Sequence, residues 1–192
     1  SDLSYNYYPT SYMRHGDGIA SIALGLGQWV VNGEKCYRFC PKYPDVHILS
    51  DEELVQNSQT EFYALRMDRN DFSLAQGPLS TISRLGLDVA EHDKVLWHLA
   101  SVWDHADQRI RDGLDAYGPR VLTFANILKY QRFPLAEILT EILDIGEKAF
   151  GVPIEIEFAV SLSKDPCKQI FPTFYLLQIR PFFRPTEDLT LN

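Results

Sequence analysis

Residues 151–160, GVPIEIEFAV, alternate apolar and polar side chains over Ile154 to Val160, and residues 171–181, FPTFYLLQIRP, supply a second extended run after the turn-and-charge segment SLSKDPCKQI. Successive side chains of a strand point to opposite faces. Ile154, Ile156, Phe158 and Val160 are therefore expected on one face, with Glu155, Glu157 and Ala159 on the other. In the second run the same rule groups Tyr175, Leu177 and Ile179 against Leu176, Gln178 and Arg180. Two such runs so close in sequence predict an antiparallel hairpin. If its register sets Glu157 opposite Gln178, then Glu157, Gln178 and Arg180 converge on one patch.

The segment just before this pair reads as a helix. In PLAEILTEILDIGEKAF, residues 134–150, the apolar side chains Leu135, Ile138, Leu139, Ile142, Ala149 and Phe150 recur at helical spacings and predict one buried stripe. Pro134 suits a first turn, Lys148 complements the carboxyl-terminal dipole, and Gly151 with Pro153 ends the helix. Asp51–Asn57 carries the acidic first turn of a shorter helix. Strand-like runs are expected at 35–40, 60–68, 95–104 and 119–128, and Ile19 to Leu24 fits either a buried strand or a turn of helix. Gly77-Pro78 marks a turn. Together these predict an α+β chain with a mixed or antiparallel sheet and packed helices, folding as one domain over residues 1–192.

Composition narrows the function. The 192 residues carry 18 Lys+Arg against 26 Asp+Glu, a formal net charge of -8, with 45% hydrophobic and 12% aromatic residues. A core of ordinary size is available, and so many aromatics argue against disorder. A pI near 5.1 argues against a nucleic-acid partner. No stretch reaches the ~18–20 apolar residues of a membrane span. Cys36, Cys40 and Cys167 show no pairing pattern, so free thiols in a cytoplasmic protein are expected. Cys36, Cys40 and His47 lack the tight spacing and fourth ligand of a zinc site. The glycines of GDG (16–18) and GLG (25–27) form neither a dinucleotide fingerprint nor a P-loop.

The patch at the hairpin can be read in two ways. A carboxylate and a carboxamide oxygen side by side, at Glu157 and Gln178, are hard donors suited to Mg²⁺. Arg180 beside them offers a forked cation for phosphate oxygens. Alternatively, Glu157 and Arg180 form an ordinary cross-strand ion pair on a solvated face, with Gln178 as filler.

The pieces GVPIEIEFAV and FYLLQIRPF, with ALGLGQWVVNGEKCYRFCPKYP upstream, resemble the nucleotide-binding domain of phosphoenolpyruvate synthases and pyruvate phosphate dikinases, an ATP-grasp fold. The resemblance implies that Glu157 and Gln178 hold Mg²⁺ and that Arg180 steadies the phosphates of ATP. It also places the GLGxxVVxG segment near the adenosine, so Gln28, where many members carry Glu, would face the ribose hydroxyls. The parent activity implied is transfer of a phosphoryl group from Mg-ATP to a histidine on another domain. None of His15, His47, His92, His98 or His105 has the family's phosphohistidine context. The chain is accordingly expected to be the carboxyl-terminal portion of such a domain. Its expected partners are an amino-terminal half with the glycine-rich loop and phosphate-binding Lys, and a phosphohistidine domain. Alone it is expected to bind Mg-ATP weakly or not at all. The alternative is a non-catalytic scaffold or interaction module that kept the fold.

Overall fold

Alternation over 154–160 is satisfied by one apolar face turned inward, and the rest of the chain is arranged to cover that face. The computed structural model describes residues 1–10, 12–46, 48–67, 81–162 and 172–182. Its strands are β1 (Asp2–Ser4), β2 (Ile19–Ile22), β3 (Tyr37–Phe39), β4 (Glu61–Leu65), β5 (Ile82–Gly86), β6 (Ala100–Asp104), β7 (Arg109–Asp112), β8 (Arg120–Leu122), β9 (Ile154–Ser161) and β10 (Thr173–Pro181). Its helices are α1 (Gln28–Val31), α2 (Asp51–Asn57), α3 (Leu87–His92), α4 (Ala125–Leu128) and α5 (Leu135–Phe150). The fold is thus α+β, and every strand pair among the described residues is antiparallel.

The largest sheet runs β10-β9-β1-β2-β3, beside a β4-β5 hairpin and a three-stranded β7-β6-β8 sheet. One row across the large sheet, Ile179, Ile156, Leu3, Ala20 and Phe39, is apolar and in register. Its four inner members are buried in a cluster that also takes in Leu139 and Leu143 of α5, Trp103 of β6 and Val121 of β8. The next row, Gln178, Glu157, Asp2, Ser21 and Arg38, is polar and lies on the other face. That division of faces positions the candidate site.

Several local expectations change. Between Leu176 and Gln178 the pairing slips by one residue, so Leu177 is an inserted bulge. A bulge reverses the facing of the residues on its far side. Tyr175, opposite Ala159, therefore shares its face with Gln178 and Arg180, while Leu176 and Ile179 turn to the core side. On α5 the buried stripe is Leu135, Leu139, Leu143 and Gly146. Ala149 and Phe150 are exposed instead. The run 95–104 starts as a 3-10 turn, Leu96–His98, and extends only from Ala100. The run 119–128 is extended only at Arg120–Leu122; Phe124 takes a left-handed conformation with φ 53 and starts α4. Ile19–Ile22 resolves as strand. The Gly77-Pro78 turn, His47 and Cys167 lie outside the described residues.

Two short elements are fixed by specific chemistry. Ser50 caps α2: its hydroxyl accepts from the Glu53 amide at 3.3 Å while the Glu53 carboxylate accepts from the Ser50 amide at 2.9 Å. The Gly25–Gly27 turn is tied to β4, with the Leu26 amide donating to the Tyr63 carbonyl at 2.9 Å. A side chain at Gly25 would meet that carbonyl oxygen at 2.5 Å, and its φ of +91 favours glycine as well.

Candidate functional site

The hairpin register sets Gln178 opposite Glu157 and Arg180 opposite Glu155. Together with Gln28 from the first turn of α1, these side chains line one cavity of about 650 Å³. All of the residues singled out in the sequence, Gln28, Glu157, Gln178 and Arg180, are thus gathered at a single site, drawn from segments some 130 residues apart. The floor is polar along β9 and β10, and Ile22, Leu24, Val30, Val31 and Phe124 form apolar walls. A concave site with an apolar body and a few convergent polar groups is a common form for small-molecule recognition.

Arg180 does not pair with Glu157. Its guanidinium Nε and Nη2 both donate to Glu155 Oε2, each at 2.8 Å. The cross-strand ion pair foreseen for Glu157 is therefore made by its neighbour on the same face, because an antiparallel register that sets Gln178 opposite Glu157 sets Arg180, two residues on, opposite Glu155. The arginine side chain remains 59% exposed. Such an exposed pair contributes about 0–1 kcal/mol, so a phosphate arriving from the cavity can compete for the guanidinium.

Gln28 sits at the start of α1, where its amide donates to Asn32 Oδ1 at 2.6 Å. The element is held from beneath by Trp29, which is buried and donates from Nε1 to the Lys35 carbonyl at 2.8 Å. Arg84 covers the same indole ring at 5.3 Å.

One contributor was not read from the sequence. Asp2 pairs with Glu157 across β1 and β9 and lines the same cavity. Its Oδ1 is buried with no hydrogen-bond partner among the described residues. The polar-apolar-polar pattern of Asp2–Ser4 is a strand signal, but three residues are too few to read alone, and the pairing partner is distant in sequence. Asp2 and Glu157 both act on the Ser1 amino group, whose pKa is lowered by burial against the raising effect of the two carboxylates.

Glu157 and Gln178, one carboxylate and one carboxamide on adjacent strands, are oxygen donors of the kind a hard divalent cation takes. They do not suit a soft metal. No group of three His, Cys, Asp or Glu side chains arranged around a metal occurs among the described residues.

Other reactive side chains are engaged elsewhere. Burial pushes the Cys36 and Cys40 thiols up, which removes thiolate character at neutral pH. His15 has Nδ1 2.7 Å from the Asn6 carbonyl oxygen and stacks on Tyr5. The Trp103 Nε1 group donates to His105 Nδ1 at 3.2 Å, and His98 packs edge-on against Trp97. These contacts agree with turn and packing roles. No helix among the described residues is long and apolar enough to cross a membrane. No protein-family model, curated protein or solved structure matches this chain.

Proposed function

We propose that the chain is the ATP-binding portion of a phosphotransferase of the phosphoenolpyruvate synthase and pyruvate phosphate dikinase type, built on an ATP-grasp framework. The observation that carries this reading is the meeting of Glu157, Gln178, Arg180 and Gln28 on one cavity, with Glu157 opposite Gln178. Glu157 and Gln178 would hold Mg²⁺, and Arg180 would orient phosphate oxygens after exchanging Glu155 for them. Gln28, at the α1 end of the cavity, would hydrogen-bond the ribose, and the apolar wall would receive the base. Bound there, the cation would neutralise charge on the transferring phosphoryl group. The residues of this chain act by position and charge, not by covalent chemistry. A second subdomain bringing further cations would close the site, and the acceptor histidine would come from another domain. Free thiols at Cys36 and Cys40 suit a cytoplasmic setting.

A second reading is favoured by the Glu155–Arg180 pair, which already satisfies the only guanidinium on the cavity floor among the described residues. In that reading the chain keeps the architecture as an interaction module without turnover. ATP-dependent phosphorylation of the complete protein separates the two. Glu157→Ala is expected to abolish labelling from γ-labelled ATP while leaving the circular dichroism spectrum unchanged. Undiminished labelling would remove Glu157 from the site, and absence of labelling in the unmodified protein would favour the module.

A further inference from the structure

Three strands of the large sheet lie side by side at β9, β1 and β2, and the middle one stops short of its neighbours. β1 pairs with β9 at Asp2 and Leu3, and with β2 from Asp2 to Ser4. The last bond on the β9 side runs from the Phe158 amide to the Ser1 carbonyl, at 3.0 Å. β9 nevertheless continues to Ser161, and the chain leaves β2 through Ala23 and Leu24. Neighbouring strands of a sheet lie about 4.7–4.9 Å apart, so two strands that flank a third are held about 10 Å from each other. Past Ser1 that gap holds no strand among the described residues. It opens into the cavity, whose lining includes Ser1, Ala23, Leu24, Ala159 and Val160.

Both walls of the gap present backbone groups that no strand takes up. In an antiparallel ladder the hydrogen-bonded pairs recur at every second residue. With Phe158 bonded to Ser1, the next residue of β9 aimed into the gap is Val160. On the opposite wall, the phase that bonds Asp2 to Ser21 aims Ala23 into the gap. Leu24 agrees with that phase, because its own amide and carbonyl are engaged by the Gln59 side chain at 2.9 Å each. The side chains follow the same division. Phe158 and Ile22, which flank Ser1, are buried, whereas Val160 and Leu24, two residues further on, are only partly buried against that core.

Rows of donors and acceptors on both sides of a gap one strand wide are matched by a polypeptide strand. A helix is about 10–12 Å across and keeps its bonds within itself. We infer that this gap receives an extended segment of the second subdomain, laid end to end with β1 and antiparallel to β9 and β2. The inference rests on the proposed function for the owner of the segment, and names how the two halves join. In the register of β1, the residue nearest Ser1 falls between Ala159 and Ala23 and faces outward with Glu157. The residue before it falls between Val160 and Leu24 and faces the core, where Val95 and Leu99 line the cavity. The segment is accordingly uncharged and apolar at every second position. Strand addition of this kind draws affinity from main-chain bonds and specificity from alternate side chains.

Amide hydrogen exchange at Val160 and Ala23, without nucleotide, tests this. Both amides are expected to exchange on the order of tenfold or more slowly in the complete protein than in the chain of 192 residues. A tethered segment checks the pattern, since a tether holds it at an effective concentration of roughly millimolar. Ile-Thr-Val-Thr placed directly before Ser1 sets its valine between Val160 and Leu24; it should slow both amides and raise the thermal midpoint. Thr-Ile-Thr-Val, the same residues one position out of phase, turns its apolar side chains outward and should protect far less. Ile-Thr-Pro-Thr, whose proline has no amide to donate to the Val160 carbonyl, should also protect far less.

Equal exchange in the complete protein and in the shorter chain would overturn the inference. So would equal protection by the in-phase and out-of-phase segments, or none from the in-phase segment. Failure of the nucleotide reading looks different: Val160 is protected in the complete protein, yet ATP produces no labelling there. Conversely, labelling that depends on Glu157 while Val160 exchanges freely would sink the inserted strand alone.

Discussion

Tyr37 shows how far a single side chain is governed by where the fold puts it. It lies on β3 facing the core, in contact with Phe124, and burial pushes its phenol up to about 12. An unfolded tyrosine ionises near 10. Between those values the unfolded chain has lost a proton that the folded chain keeps, so stability falls as pH rises through this window. It is fully present below about pH 10. A shift of this size corresponds to roughly 2–3 kcal/mol. Urea denaturation at about pH 9 and about pH 11.5 should therefore show a smaller alkaline loss in Tyr37→Phe than in the unmodified chain. Equal losses would mean that the phenol is hydrated in the fold. Tyr37 was legible only as a strand residue; its proton affinity depends on Phe124, far away in sequence. Glu157 and Gln178 were legible as a pair because both lie on one hairpin. Asp2 was not, since nothing within a three-residue strand says which strand it will face.

Among the elements, α5 and β9 depend on each other through a close approach at Gly146. A methyl group there would come 2.2 Å from Ile154 Cδ1, which is itself buried on β9. Overpacking of this kind costs about 1–3 kcal/mol, against about 1 kcal/mol that alanine contributes to a helix over glycine. Gly146→Ala is thus expected to lower the denaturation midpoint, and Ile154→Val in the same chain, which removes Cδ1, to recover most of the loss. A midpoint raised by the single substitution would mean that Ile154 has room to move. The helical period of 134–150 and the strand period of 154–160 were both readable, since each is a local repeat. Where the buried stripe of α5 stops was not. Ala149 and Phe150 keep the period but lie exposed in the fold. The bulge at Leu177 was unreadable for a related reason: it exists in the pairing of two strands, and the sequence of one strand does not contain it.

Over the whole molecule, stability lies in the shared core more than in the many surface ion pairs. Leu139 is fully buried at the centre of the cluster joining the large sheet, α5 and the β7-β6-β8 sheet. Leu139→Ala is expected to cost about 2–5 kcal/mol. Arg111 pairs with Asp104 and Asp107 on the surface, where solvent screens the charges, and Arg111→Ala is expected to cost far less than Leu139→Ala. Chemical denaturation of both variants measures the contrast. A larger loss at Arg111 would mean that the β6-β7 hairpin carries more of the fold than its exposure indicates. The same division of labour frees the outer face of the large sheet. Since the core is secured on one side, the other side can hold Glu155, Glu157, Asp2 and Arg180 on one face.

By itself the sequence determined the alternation of β9, the period of α5, the acidic first turn of α2 and the hairpin of β9 with β10. All of these are interactions between near neighbours, where side-chain spacing and backbone geometry suffice. Tertiary structure decided the rest. Only the return of β1 against β9 sets Asp2 beside Glu157, and only the realised register of β9 with β10 gives Arg180 to Glu155. Only the packing of α1 against the β4-β5 hairpin brings Gln28 to the same cavity. Those outcomes depend on which surfaces can be buried together, a property of the folded chain as a whole.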